Sequence, residues 1–524
     1  MLRGLKGFIK TNEKVTHEGG RGYELTLEES VAELFSLGLV KGNFYQDDLQ
    51  VIENTRELMK KAFAECPQWA AKCAVYGHNF NSLKLVPVIW LVYLSKLDDK
   101  TLFERAFPKI IRNPKMLHDF LELVRKGGIR QGMGRSVKRA VNSWLNDRLN
   151  DYHATRYKGK LVQVIKTARP IAAERIQPFI DYIINDREDA FPRAKALKSV
   201  LQALKAGRVD ARVLAAIKAN RLQLEELKHA FGSLAQHQKK AVLEFMLPSL
   251  KYNALVSNLV TIERVFATET QRVKKTNEHG TFVQEQVIKT DVPVELVDRV
   301  AQRLSDPDSY RKSGMLPFGL ITAGGMTLIQ AWKEAIDHML QKCVRTVFDI
   351  PANSQIRIGV DTSGSMALKV TPSLTAVDIA SLFGAMVAMS TRHARVFATA
   401  TLTQRVPLAK NGGLFENAQR IASTDVGWGT CFEPLLDDYE GEKYVILITD
   451  GQQSDNLEAV WANLKGRPAG SKLIIWHITG YNNKISKRWD VVYLRGYSDR
   501  LLAVLKNILE GKAGQMEQIE AIIV

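Results

Sequence analysis

Five oxygen-bearing residues dominate the C-terminal third: Asp361, Ser363 and Ser365 in DTSGSM, Thr430 in GWGTC and Asp450 in LITDGQ. Two of these segments follow apolar β-type runs, IRIGV before Asp361 and YVILIT before Asp450. Their side chains are therefore expected at the carboxyl ends of neighbouring parallel strands, where open α/β sheets bind ligands. Carboxylates and hydroxyls with no His or Cys among them are a hard donor set that takes a divalent cation, Mg²⁺ first, with Mn²⁺ or Ca²⁺ as alternatives, and not zinc. A D-x-S-x-S loop alone is also ordinary turn chemistry. What makes it specific is the order of the three pieces. Asp361 itself is expected on an exposed loop, outside the core.

Catalytic readings of the same residues fail on spacing. An aspartyl-phosphate enzyme would want a second Asp where Ser363 stands, and neither Ser363 nor Ser365 has the flanking glycines of a nucleophile elbow. No phosphate-binding P-loop or dinucleotide fingerprint occurs between a strand and a helix. Enzymatic readings of these residues thus mostly fail.

The elements that must position these residues change character at DIPANSQ, residues 349–355. Beyond it β-type runs (IRIGVD, ARVFATA, KYVILITD, KLIIWHITG, DVVYLRG) alternate with amphipathic helices, which predicts an α/β doubly wound domain over 351–524. Before it, from about residue 26 to 348, apolar residues recur at helical spacing in segments such as DLQVIENTRELMKKAF and PKMLHDFLELVRK, which predicts an α-helical solenoid domain over 1–350. The polar stretch between Ala267 and Asp291 is expected to be an exposed loop. The apolar end AIIV is expected to pack back onto the helical domain.

Charge separates the two parts. From residue 351 onward there are 18 Lys+Arg and 17 Asp+Glu, leaving 55 basic and 39 acidic residues before it, so nearly all of the net +17 is N-terminal. A basic domain joined to a neutral one points to a polyanion, with nucleic acid first; a merely solubilising surface is the plainer alternative. The four cysteines (Cys66, Cys73, Cys343, Cys431) lack metal-ligand spacing, and the longest apolar stretch, Leu85 to Leu94, is too short to span a bilayer. A reducing, cytoplasmic location, no membrane and a monomer are expected.

The strongest polyanion candidate is GGIRQGMGRSVKRAVNSWLNDRLNDYHATRYKGK, residues 127–160. Arg130, Arg135, Lys138 and Arg139 crowd a glycine-rich helix start, while Val137, Val141, Trp144 and Leu145 fall on the opposite, buried side by spacing. Tyr152, His153, Arg156, Tyr157, Lys158 and Lys160 then mix cations with rings, the combination that contacts phosphates and stacks on unpaired bases, and Lys166 and Arg169 follow.

Taken in order, GLVKGNFYQD, GMGRSVKRAVNSWLNDR with ATRYKGK, KYNALVSNLVTI, MLPFGLITA and the strand-end oxygens resemble the TROVE family of the Ro autoantigen class. Its C-terminal part is a von Willebrand factor type A domain, whose metal-ion-dependent adhesion site (MIDAS) matches Asp361, Ser363, Ser365, Thr430 and Asp450. The resemblance implies a ring of HEAT-like helical repeats closed by the type A domain. It also implies small structured noncoding RNA of the Y RNA kind on a basic outer surface, misfolded noncoding RNA 3′ ends in a central hole, and RNA quality control or processing as the role, with an exoribonuclease as a further partner. Lys138, Arg139, Arg156, Lys158 and Lys160 lie in the segment that contacts Y RNA in that family. The chain departs from the pattern just after it, at KLVQVIKTARP. The competing readings are a metal-dependent adhesion module that recruits an acidic partner, with RNA binding incidental, and a metal-dependent phosphohydrolase acting on RNA ends.

Overall fold

A computed structural model describes residues 13–38, 48–81, 83–266, 269–276, 282–289, 292–315, 319–320, 323–324, 327, 329–347, 355–370, 374–391, 393–409, 412–481, 483–498 and 500–524. All of GLVKGNFYQD after Gly38 and parts of MLPFGLITA and DIPANSQ lie outside them, as does the side chain of Cys343.

By packing, the chain forms two compact units, residues 1–110 with 340–524, and residues 111–339. The change of texture near residue 350 is thus a change of secondary structure, and the first five helices fold with the sheet.

In the first unit, strands β5 (Ile356–Asp361), β6 (Ala394–Thr399), β7 (Thr403–Arg405), β8 (Tyr444–Thr449), β9 (Lys472–His477) and β11 (Val491–Arg495) form one sheet in the order β11-β9-β8-β5-β6-β7. All neighbours are parallel except β6 and β7. Both β5 and β8 are buried along their whole length, which is why they read as continuous apolar runs without alternation. Sheet order reverses between them, because β5 leads to β6 on one side and β8 lies on the other. Arg357, buried within β5, is held by Glu442 Oε1 at 2.7 Å and by the carbonyls of Leu435, Asp437 and Asp438.

The N-terminal region adds strands that helical periodicity did not announce. β1 (Glu13–Val15) and β2 (Arg21–Glu24) form a hairpin, and β2 pairs antiparallel with β10 (Asn483–Lys484). Thr26 and Glu29 form a capping box that starts the helix Leu27–Leu37. That helix delivers Glu33 to within 3.3 Å of Arg495 Nε and 3.7 Å of His477 Nδ1, all buried. The C-terminal helix Gln515–Glu520 packs on the helix Pro67–Asn79, where Lys72 Nζ reaches Glu520 Oε1 at 2.8 Å, so the tail does fold back onto the N-terminal helices.

The second unit is helical, as the periodicity predicts. In Pro114–Lys126 the buried Met116, Leu117, Phe120, Leu121 and Val124 recur at three- and four-residue spacing, and Asn113 caps the start by accepting from Met116 N. The region expected as an exposed loop is instead a ribbon, β3 (Glu269–Thr276) paired antiparallel with β4 (Phe282–Lys289) from Glu269↔Lys289 to Thr276↔Phe282. Its β-branched residues at 270, 273, 276, 283, 287 and 288 favour strands despite the polar composition, which had read as a loop. Among the described residues no helix is long and apolar enough to cross a membrane, and Cys66, Cys73 and Cys431 are free thiols.

Burial, outweighing the help of Glu33, holds the His477 imidazole below its usual range. A depressed folded-state pKa gives stability that is present above the ordinary value near 6.5 and lost as pH falls below it, at up to about 1.4 kcal/mol per pH unit. Urea unfolding of the native chain should therefore weaken between about pH 7 and 5 more steeply than that of His477→Gln. Equal slopes would show that His477 takes up its proton within the fold.

Candidate functional site

The strand ends assemble the expected oxygens. β5 ends at Asp361, and β8 runs beside it in parallel register to Thr449, with Asp450 next in chain. This is the reversal point of the sheet order, where open α/β sheets place their ligand crevice. Ser363 N donates to Asp361 Oδ1 at 2.9 Å, and Thr449 Oγ1 donates to Asp361 Oδ2 at 2.6 Å. The hydroxyls of Ser363 and Ser365 lie 3.3 Å apart. Thr430 is anchored through its carbonyl, which accepts from Ser454 N at 2.7 Å and Ser454 Oγ at 2.6 Å.

Asp361 was expected on an exposed loop, but it is completely buried, because it is still the last residue of a central strand. Ser363, Ser365, Thr430 and Asp450 are each less than 5% exposed. Burial raises both carboxyl groups above the ordinary range, and the charge of Asp361 raises Asp450 further. Asp450 Oδ1 accepts from Gln452 N at 3.1 Å, while its buried Oδ2 has no hydrogen-bond partner. Two carboxyls and three hydroxyls, one carboxylate oxygen orphaned: this donor set fits a hard divalent ion. Among the described residues no three His, Cys, Asp or Glu gather into a metal-binding group, so here hydroxyls must supply the larger share of the donors. Thr449, whose hydroxyl orients Asp361, was read from sequence only as a strand residue.

In the helical unit, Val137, Val141, Trp144 and Leu145 are buried as their spacing predicts, and Arg135, Lys138 and Arg139 are exposed on the same helix, Gly134–Arg148. Gly134 has a left-handed φ of 64°, and a Cβ there would lie 2.7 Å from Arg130 Nη2, so glycine lets that guanidinium lie across the helix start. Asn150 caps the short helix Asp151–Arg156, and the helix Lys158–Ala168 follows, ending at Arg169 in a left-handed conformation with φ 48°.

These helices and Pro114–Lys126 enclose a cleft of about 810 Å³ lined by Lys115, His118, Glu122, Arg156, Tyr157, Gly159, Lys160 and Gln163. Of the nine basic residues singled out from sequence, Arg156 and Lys160 line it. Lys158 is instead tied to Asp186 at 2.5 Å and stands 4.2 Å from the centre of the Tyr182 ring. Lys115, His118 and Gln163 were not singled out. The signal for the first two is their three-residue spacing opposite the apolar stripe of Pro114–Lys126.

The cleft is braced from beneath. Arg193, buried, reaches Glu226 Oε2 at 2.6 Å and Thr155 Oγ1 at 3.2 Å, and Thr155 Oγ1 donates to Glu226 Oε1 at 2.6 Å. Glu226→Ala would strand a buried guanidinium and should cost about 3–5 kcal/mol. Chemical denaturation of the full chain measures this loss, and a change below about 1 kcal/mol would mean water reaches Arg193.

No protein-family model matches the chain, and no curated protein matches it either. Among solved structures, the crystal structure of the Ro (RSR) protein of Deinococcus radiodurans has a similar fold, with a TM-score of 0.60 and 18% sequence identity over 93% of this chain and 100% of that one. The chain thus has the Ro fold, and the expected pairing of a helical solenoid with an α/β domain holds.

Proposed function

We propose that this protein is a non-enzymatic RNA-binding scaffold of the Ro kind, acting on small structured noncoding RNA and on single-stranded 3′ ends, with a divalent-cation site in its sheet unit. The observation that carries this reading is the concentration of positive charge in the unit that holds the cleft. Residues 111–339 hold 38 Lys+Arg against 24 Asp+Glu, an excess of 14 out of the net 17, and all of the cleft lies within them. Lys115, Arg156 and Lys160 would neutralise backbone phosphates, and Tyr157 offers a ring to an unpaired base. Arg135, Lys138 and Arg139 would extend the phosphate contacts along their helix. The Ro fold adds support for the class of partner.

Asp361, Ser363, Ser365, Thr430 and Asp450 would hold the cation, Mg²⁺ being the first choice for so hard a donor set. Once bound, it supplies a positive charge able to accept one further acidic oxygen. The protein's own contribution is to keep both carboxylates oriented, through Thr449, Ser363 N and Gln452 N, and shielded from water.

Replacing Lys138, Arg139, Arg156 and Lys160 together with Ala should weaken binding of a structured RNA and flatten its salt dependence by roughly 0.7–0.9 log units per lost phosphate contact. Filter binding at several salt concentrations reads both. An unchanged slope would reduce the patch to a solvated surface.

Asp361→Ala should abolish calorimetric binding of Mg²⁺ or Mn²⁺. EDTA should change the affinity for an RNA whose fold needs no divalent ion by less than about threefold, or roughly 0.7 kcal/mol. A loss of about tenfold or more, reproduced by Asp361→Ala, would put the metal in contact with RNA.

A further inference from the structure

A second cavity, of about 530 Å³, is lined by the helices Leu224–Gly232, Gln236–Met246 and Leu259–Phe266 of the helical unit. It adjoins the cleft without sharing a residue with it: Arg156, on the cleft wall, donates to the carbonyl of Glu225, which lines the second cavity, at 3.4 Å. Its size lies within the roughly 300–1,000 Å³ of small-molecule pockets. Gln236 Nε2 holds one side together by donating to Val265 O at 2.6 Å and Arg264 O at 3.1 Å, so the start of one helix is fixed on the end of another.

The lining divides by chemistry. Leu224, Phe231 and Val265, all buried, belong to the apolar stripes of their helices and give the cavity an apolar floor. Lys228, Lys239 and Arg264 bring one cation from each of the three helices. None of the three is ion-paired among the described residues, whereas Lys158 and Lys198 of the same unit meet Asp186 and Glu188. Ser257 and Thr261 add hydroxyls. Asn258 Nδ2 donates to Ala254 O at 2.7 Å, which leaves the carbonyl oxygen of that side chain to accept from a ligand. Glu225 is the one acidic residue of the lining.

We propose that this cavity is a second ligand site, separate from the cleft, that takes a single nucleotide. The phosphate is met by Lys228, Lys239 and Arg264, the base rests on the floor of Leu224, Phe231 and Val265, and Asn258 with the two hydroxyls contacts its polar edge. A bare phosphate would use only the cations and an uncharged ring only the floor, so the lining as a whole fits a molecule that carries both. The same chemistry arrives from two sources, a free nucleoside monophosphate or one unpaired nucleotide of an RNA strand. The inference does not depend on the reading given to the cleft.

The test is isothermal titration calorimetry on the full-length chain, washed free of RNA at high salt, with the common nucleoside 5′-monophosphates and with ribose 5-phosphate. At least one nucleotide should bind at about 1 mM or tighter, and about tenfold more tightly than ribose 5-phosphate. Lys239→Gln combined with Arg264→Gln should weaken that binding about tenfold or more. Gly232→Glu should do the same: a Cβ at Gly232 meets nothing within 4 Å, so the new carboxylate has room beside the cations, and glutamate favours the helix more than glycine does. A structured RNA should bind to Gly232→Glu within about twofold of its affinity for the native chain. If a short single-stranded RNA displaces the nucleotide and is weakened equally by Gly232→Glu, the strand is the source; if it does neither, the free nucleotide is. The site falls if no nucleotide binds at millimolar concentration, if ribose 5-phosphate binds as tightly, or if both variants bind like the native chain. Loss of structured-RNA binding in step with nucleotide binding in Gly232→Glu would overturn its separation from the cleft.

Discussion

Two carboxyl groups buried side by side, Asp361 at the end of β5 and Asp450 just past the end of β8, impose the central constraint on the sheet unit. Burying a charge without a partner is costly, so burial pushes both groups toward their protonated forms, and the charge of Asp361 pushes Asp450 further. Among the described residues the groups bonded to this pair are neutral donors: Ser363 N and Thr449 Oγ1 on Asp361, and Gln452 N on Asp450. Hydrogen bonds orient such groups without neutralising them. A hard cation would do both, and the loops after β5 and β8 are built around the oxygens that would receive it.

The same unit handles other buried charge differently. Arg357 is completely enclosed but meets Glu442 and three carbonyls, so its charge is compensated within the protein. Glu33 reaches inward from the first helix to Arg495 and His477. Against these compensated groups, Asp361 and Asp450 are held by hydrogen-bond donors alone, and burial raises both carboxyls.

Much of this was legible in the sequence because buried parallel strands announce themselves as unbroken apolar runs, and IRIGV and YVILIT are two of the clearest. The oxygens follow those runs directly, so their placement came with the strands. Helices of the 111–339 unit were equally legible from stripes such as Met116, Leu117, Phe120, Leu121 and Val124. What periodicity missed were short or polar strands. β1, β2 and β10 span two to four residues each, too few for alternation to register, and the β2–β10 pairing joins residues more than 450 positions apart. The β3–β4 ribbon failed for another reason: its polar composition hid the β-branched residues that favour strands. The burial of Asp361 was missed because a polar residue at a strand end reads as a loop, whereas the β5–β6 pairing continues through it to Thr399.

Charge distribution, redrawn on the compact units, sharpens the division of labour. Assigning the first 110 residues to the sheet unit leaves it 35 Lys+Arg and 32 Asp+Glu, nearly neutral, while the helical unit carries the excess. A near-neutral unit exerts little long-range attraction on a polyanion beyond a Debye length of about 8 Å at physiological salt. Long-range attraction of a polyanion would therefore belong to the helical unit, where counterion release scales with the number of lysines and arginines engaged. Lys158 shows why a count of cations overstates that number: paired with Asp186 and close to the Tyr182 ring, it would have to give up both partners to meet a phosphate. Arg156 and Lys160 flank it in sequence, yet line the cleft. On one short stretch of chain, local packing thus places Lys158 against Asp186 and Tyr182 and its neighbours Arg156 and Lys160 on the cleft wall, where Lys160 also stands 3.9 Å from Asp119.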